Sequence, residues 1–335
     1  MAISSVLGSS ALLPAGLGFR NVLINGGFDV WQRGTTAAIP SSVGTSYLAD
    51  RWSAYRPAVG STQSRVTAGL DGFQYALRIQ RDNGNTGTGI IYMNQSFETS
   101  TMVKLANKQV TLSFYARAGA NYSSASSLFN ARVVAGTGTE ANVIHTGVTG
   151  STEPLVAAVA LTTSWQRFTV TGLIPSGTNG GGVYFFYTPT GTAGANDYVD
   201  ITGVQLEQNY QPTPFEQRPI GIELGMCQRY YCVVASGSSF VGNAVMHTTD
   251  AFESVIHLPT VMRTAPTLIA TTGASYYGIY ALNVTKRVDL LTNASNNPSN
   301  LRIYGSLVST TSTAGVGAGL YLQSASASIA ASAEL

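Results

Sequence analysis

The chain has 335 residues, only 10% of them charged, and its formal net charge is +2. A typical globular protein has about 25% charged residues, so Gly, Ser, Thr, Ala and Asn take the place of charge on this surface. No cluster of Lys and Arg occurs, which excludes the electrostatic footprint of a nucleic-acid-binding protein. No apolar run is long enough to cross a bilayer, which excludes helical insertion into a membrane. This composition is typical of all-β proteins of extracellular surfaces and virus particles.

Residues 1–19 predict an irregular arm, because they are rich in Ser, Gly, Ala and Leu and contain Pro14. The arm has no basic start and no proper apolar core, so we do not interpret it as a signal peptide. A protein without such a signal is expected to leave its cell by lysis. A short arm of this kind either docks on a neighbouring protein or stays disordered.

Residues 20–215 predict a β-sandwich domain, because short strands alternate with turns of Gly, Asn, Ser and Pro and no helix of clear period is found. The clearest strand is QVTLSFYARA (109–118), where every second residue from Val110 is apolar. In DYVDITGVQLEQ (197–208) the apolar positions change parity at Thr202-Gly203, which predicts a β-bulge. Many short strands at regular spacing favour a two-sheet sandwich or a jelly roll.

Residues 216–232 predict a connector with a short helix, since three prolines precede the sequence IGIELGMCQRYY. The helical period places Ile222, Met226 and Tyr230 on one face. Residues 233–335 are strand-like again and predict a smaller C-terminal β domain. Its small core is expected to draw stability from partner chains.

The sequence contains few motifs of catalytic or metal-binding sites. The histidines are scattered, and we interpret Cys227 and Cys232 as unpaired buried thiols, because a zinc site needs four ligands. No nucleophile elbow, phosphate loop or HExxH motif occurs, so we do not expect an enzyme. Two carboxylates that converge in space remain an open alternative, since the chain has 16 acidic residues.

The segment NGGFDVWQRG (25–34) is a candidate binding surface. If Phe28 and Val30 face the core, period-two alternation puts Asp29, Trp31 and Arg33 outward. An outward Trp flanked by Arg and Asp suits a sugar site, because pyranose faces lie on aromatic rings and charged groups bond to hydroxyls.

A second candidate group lies in ADRWSAY (49–55), where Trp52 is accompanied by Arg51 and Tyr55. The alternative for both Trp31 and Trp52 is packing inside the sandwich or at a seam between subunits, because large aromatic residues are mostly buried.

Five stretches of the chain resemble a family of bacteriophage and prophage virion proteins of the tail-fibre or head-fibre type. They are GFRNVLINGGFDVWQRGT (18–35), YLADRW (47–52), ITGVQLEQ (201–208), PTPFEQRPIGIELGMCQRYY (212–231) and the ending ASIAASAEL (327–335). The resemblance implies a phage particle, a sandwich similar to carbohydrate-binding modules, a C-terminal β domain and homotrimers.

The same resemblance implies a structural calcium ion between the first and last strands of the sandwich. It places Asp29 on the first strand and Asp200 on the last, with Asp197 as a weaker third carboxylate. Hard oxygen ligands of this kind suit Ca²⁺. The alternative is that Asp29 pairs with an arginine such as Arg33 or caps a turn.

From these observations we expect a fibre or spike adhesin of the virion that binds host surface polysaccharide. Residues 1–19 would attach it to other virion proteins, and a homotrimer would raise weak sugar affinity by multivalency. A capsid decoration protein without glycan binding is the main alternative. A glycan depolymerase ranks last, because the absence of a fixed repeat disfavours the parallel β-helix that such phage enzymes commonly use.

Overall fold

The structure is a computed structural model, and it describes residues 19–40, 46–138, 140, 142–144, 147–294, 297–308 and 311–335. Almost all of the predicted attachment arm (1–19) lies outside the described residues. Among the described residues, no helix has the length and apolar character needed to span a membrane.

The first twelve strands form the predicted sandwich of two antiparallel sheets. In chain order they are β1 (Thr36–Ala38), β2 (Ser46–Tyr47), β3 (Ser53–Tyr55), β4 (Ser61–Leu70), β5 (Phe73–Arg81), β6 (Ile91–Ser96), β7 (Gln109–Ala118), β8 (Leu128–Thr137), β9 (Thr149–Ala160), β10 (Gln166–Leu173), β11 (Gly180–Tyr187) and β12 (Tyr198–Glu207). The back sheet has the order β1-β4-β5-β12-β7-β10, and the front sheet has the order β2-β3-β6-β11-β8-β9.

The core between these sheets follows the predicted alternation. In β7 the side chains of Val110, Leu112, Phe114 and Ala116 are fully buried. The bulge predicted at Thr202-Gly203 is confirmed, since the register of β12 against β7 shifts between Thr202 and Gln205.

One helix in the sandwich escapes sequence analysis. Helix α1 (Thr99–Leu105) buries only Met102 and Leu105. Two apolar contacts in seven residues give no readable period, so the prediction of no helix in residues 20–215 is wrong here.

The predicted connector helix is present as α2 (Ile220–Gln228), but its predicted apolar face is wrong. Ile222 is 43% exposed, whereas Glu223 and Cys227 are buried. Glu223 is held inward because Arg218 and the backbone N–H of Asn25 donate hydrogen bonds to it.

The last ten strands form two further antiparallel sheets around a second core. They are β13 (Tyr231–Ser236), β14 (Ser239–Met246), β15 (Ala251–His257), β16 (Thr267–Ala270), β17 (Tyr277–Ala281), β18 (Val284–Val288), β19 (Leu291–Asn293), β20 (Asn300–Ser306), β21 (Gly317–Leu322) and β22 (Ser328–Ser332). The orders are β13-β22-β16 and β18-β17-β21-β14-β15-β20-β19. The all-β fold class is therefore confirmed.

Candidate functional site

An aromatic strip crosses the outer face of the front sheet. It consists of Tyr55 on β3, Tyr92 on β6, and Tyr184 and Phe186 on β11. The register pairs Tyr92 with Tyr55 on one side and with Phe186 on the other. Because paired residues on adjacent antiparallel strands share a face at about 5 Å, the three rings form one row.

The alternation of β11 explains why these rings face outward. Val183, Phe185 and Tyr187 belong to the sandwich core. Since successive side chains of a strand point to opposite faces, Tyr184 and Phe186 lie on the other side of the sheet, where both are partly exposed.

The rings contact one another along the strip. The Tyr55 and Tyr92 centroids are 6.3 Å apart with nearly parallel planes. Tyr92 and Phe186 lie 5.6 Å apart, and Tyr184 and Phe186 are stacked at 5.9 Å. Mutual packing of this kind holds the rings in fixed orientations and creates a continuous apolar surface several rings long.

Polar groups border the strip on the side of β8 and β9. The Arg132 guanidinium lies 5.4 Å from the Phe186 ring centroid and 3.4 Å from a Glu153 carboxylate oxygen. The Tyr184 hydroxyl donates to the same carboxylate. Burial and this hydrogen bond raise the pKa of Tyr184 above its ordinary value, so its hydroxyl stays a donor at neutral pH.

A buried amide lies in the next row of the same face. Asn94 is paired in register with Ser53 and Tyr184. Its side chain is fully buried, and neither amide atom has a hydrogen-bond partner in the part of the chain that the structure describes. A buried polar group without a partner costs about 1–3 kcal/mol of stability, so Asn94 is expected to reduce the stability of this part of the sheet.

The structure corrects the prediction for Arg51 and Trp52. Trp52 is only 1% exposed and packs between Phe28 and Phe185, with its indole N–H bonded to the carbonyl of Asn25. Arg51 is 2% exposed, lies 3.5 Å from the Tyr230 ring centroid and pairs with Glu334. Neither side chain can reach a glycan on the surface.

Trp31 and Arg33 also lie away from the strip. Trp31 packs against the sandwich core, and its indole N–H bonds to the Phe28 carbonyl. Arg33 pairs with Asp50 and Glu334 and lies over the Tyr231 ring at 3.5 Å. Tyr55 is therefore the member of the predicted glycan-binding set that lies on the strip.

The segment 25–34 departs from the expected strand because its backbone folds on itself. Asn25 and Phe28 both have positive φ angles, near 56° and 57°. The Asn25 side chain bonds to the N–H and carbonyl of Val30 and to the carbonyl of Asp50. These bonds close a compact loop instead of a strand. Phe28 and Val30 are nevertheless buried as predicted.

The predicted calcium ligands do not fit a calcium site. Both carboxylate oxygens of the fully buried Asp200 accept hydrogen bonds from Arg78 and Arg117, at 2.7–3.0 Å. Asp197 is paired with the buried Arg81. Across the described ranges, no group of three or more His, Cys, Asp or Glu side chains comes together. Two guanidinium groups already neutralise Asp200, which leaves it no role as a ligand for a cation.

Most residues of the aromatic strip give no local signal in the sequence. The segment GVYFFYTP contains Tyr184 and Phe186, but its unbroken apolar character hides which residues face outward. Arg132, Glu153 and Tyr92 are far apart in the chain, and only strand pairing brings them together. Cys227 and Cys232 are free and buried, as predicted.

The chain is thus an all-β protein in which a two-sheet sandwich precedes a second β domain. No protein-family model matches it, and no curated protein matches it. Solved structures similar to it include carbohydrate-binding modules, each aligned to about half of this chain. One, described as CBM4, shares 20% identity, covers 55% of this chain and 98% of its own, and has a TM-score of 0.35.

Two other similar structures have a named ligand. The CBM22-2 xylan-binding domain of Paenibacillus barcinonensis Xyn10C shares 12% identity, with 50% of this chain and 94% of its own covered at a TM-score of 0.31. TmCBM61, solved with β-1,4-galactotriose, shares 13% identity, with 57% of this chain and 100% of its own covered at a TM-score of 0.32.

Proposed function

We propose that this protein is a glycan-binding adhesin of a phage particle and that the aromatic strip is its binding surface. The observation that carries the proposal is the row of contacting rings Tyr55, Tyr92 and Phe186 on an outer sheet face. Such a surface matches the apolar faces of successive pyranose rings, and bordering polar groups can bond to hydroxyls.

The polar border favours neutral sugars. Glu153 adds a carboxylate beside the strip. The Arg132 guanidinium pairs with Glu153 and donates hydrogen bonds to the carbonyls of Ala131 and Ala157. An anionic sugar would therefore meet a neutral ion pair and gain no free arginine.

The virion role is supported by the sequence motifs described above. A homotrimer would present three strips to one polymer and convert weak single-site binding into avidity. Binding is proposed in place of catalysis. A capsid decoration protein that binds no sugar is the outcome to expect if the strip proves inert.

The test is binding of the full-length protein to soluble neutral polysaccharides and to isolated bacterial capsular polysaccharides, with host cells as a second target. We expect saturable binding that free polysaccharide competes away. Absence of binding by a folded protein would contradict the adhesin proposal. Analytical ultracentrifugation tests the trimer, and a stable monomer at micromolar concentration would contradict it.

A further inference from the structure

A cavity separate from the aromatic strip lies where the back sheet meets the connector. Its volume is 560 Å³, within the range of about 300–1,000 Å³ that holds small ligands. It is bounded by β4, β5, residues 27–29 and the start of α2. The side chains that give it chemical character are those of Asp29, Arg65, Tyr75, Phe215, Arg218 and Glu223.

Asp29 is the unpaired acid of this cavity. Among the described residues, its carboxylate has no hydrogen-bond or ion-pair partner. A Cβ atom at Gly27 would lie 2.9 Å from an Asp29 oxygen and 3.5 Å from the Phe215 ring. The absence of a side chain at Gly27 therefore makes room for the Asp29 carboxylate. Burial and the nearby charge of Glu223 raise the pKa of Asp29, as expected for a carboxylate with no paired cation.

Arg65 carries the unpaired positive charge of this cavity. Its guanidinium lies 4.4 Å from the Tyr75 ring centroid, and no ion pair joins it to any described acid. Stacking on the ring fixes the plane of the guanidinium while its N–H edges stay available as donors.

The remaining charges in the cavity are already paired. Arg218 lies 3.3 Å from Glu223 and 3.3 Å from Glu216. The backbone N–H groups of Arg20 and Asn21 also donate to Glu216. The Arg20 guanidinium also lies 3.7 Å from Glu216, so three carboxylates face three guanidinium groups. Among the described residues, Asp29 and Arg65 carry the two cavity charges that have no partner.

We propose that this cavity binds an amino sugar with a free ammonium group. The ammonium would pair with Asp29, the ring hydroxyls would accept from Arg65, and the apolar ring face would lie against Phe215. The ammonium supplies the positive partner that Asp29 lacks among the described residues. This site deepens the proposed glycan-binding function but uses none of the residues of the aromatic strip, so each can fail without the other.

The experiment is isothermal titration of the full-length protein at pH 7 with glucosamine, N-acetylglucosamine and glucose. We expect glucosamine to bind at least about tenfold more tightly than the other two, which keep the hydroxyls but lack the ammonium. Equal binding of all three, or no binding of glucosamine by the folded protein, would overturn the proposal.

Variants of the cavity residues test the site directly. Asp29→Asn keeps the size of the side chain and is expected to abolish the preference for glucosamine over N-acetylglucosamine. Arg65→Gln is expected to weaken glucosamine binding and leave that preference in place. Tyr210→Ala, at an exposed residue that does not line the cavity, serves as the control and is expected to leave glucosamine binding unchanged. Unchanged glucosamine affinity in Asp29→Asn, with an unaltered melting temperature, would also overturn the proposal.

Discussion

The carboxylate of Glu334 in the C-terminal domain lies 2.5 Å from the guanidinium of Arg51 in the sandwich. Its other oxygen accepts from Arg33 at 2.9 Å. All three side chains are largely buried, and Tyr230 and Tyr231 cover the two guanidinium groups. The arginines that sequence analysis assigned to glycan binding are therefore a joint between the two parts of the chain.

Glu334→Gln is expected to lower stability by about 3–5 kcal/mol, because it leaves the buried Arg51 guanidinium without its charge partner and leaves Arg33 with Asp50 alone. The measurement is the melting temperature of the full chain by calorimetry. Asp289→Asn removes the exposed ion pair with Arg287 and serves as the control, with no measurable change expected. Equal melting temperatures for both variants would show that the joint contributes nothing.

Asp50 predicts a pH dependence of stability. Burial, opposed in part by Arg33, raises the pKa of Asp50 from 3.8 to about 6. Because the folded-state pKa is the higher one, this contribution to stability is complete below about pH 4 and is lost as the pH rises through 6. We expect the stability of the wild type relative to Asp50→Asn to fall by about 2 kcal/mol between pH 4 and pH 7. Parallel pH profiles for the two proteins would contradict this.

The bulge at Gly203 predicts a residue-specific cost. Gly203 has a φ of +59°, and an added Cβ would lie 2.7 Å from the Phe73 ring and 2.9 Å from the Tyr115 ring. Gly69 has nearly the same φ, +60°, but open space around it. We expect Gly69→Ala to cost about 1–2 kcal/mol from backbone strain alone. Gly203→Ala is expected to cost about 1–3 kcal/mol more, from overpacking against the two rings. Chemical unfolding of both variants checks the difference, and similar losses would show that the rings move aside freely.

The aromatic strip predicts a loss of affinity on truncation of its central ring. Tyr92→Ala removes the ring that contacts Tyr55, Tyr184 and Phe186. We expect polysaccharide affinity to fall at least about tenfold, or 1.4 kcal/mol. Tyr210→Ala is the matched control, because Tyr210 is highly exposed and lies away from the strip. Affinity electrophoresis compares the two, and equal losses would remove the strip as the binding surface.

The sequence by itself determined the fold class, many of the strands and the bulge. These features depend on local patterns: alternation in β7, a change of parity at Thr202-Gly203, and turn residues at short intervals. Each pattern is written in consecutive residues, so no knowledge of strand pairing is required.

Only the tertiary structure decided which aromatic residues face outward and which charged residues meet. Trp52 and Tyr55 stand three residues apart, yet one lies in the core and the other on the strip. Arg51 meets Glu334 across 283 residues, and Tyr92 meets Phe186 only because β6 pairs with β11. Long-range strand pairing and the docking of the last strand set these contacts, and neither leaves a local signal in the chain. Periodicity assigned faces correctly in β7. In the loop 25–34 it correctly put Phe28 and Val30 inside, but Trp31 packs against the core and Arg33 is held in ion pairs, because bonds from the Asn25 side chain to the backbone replace the strand.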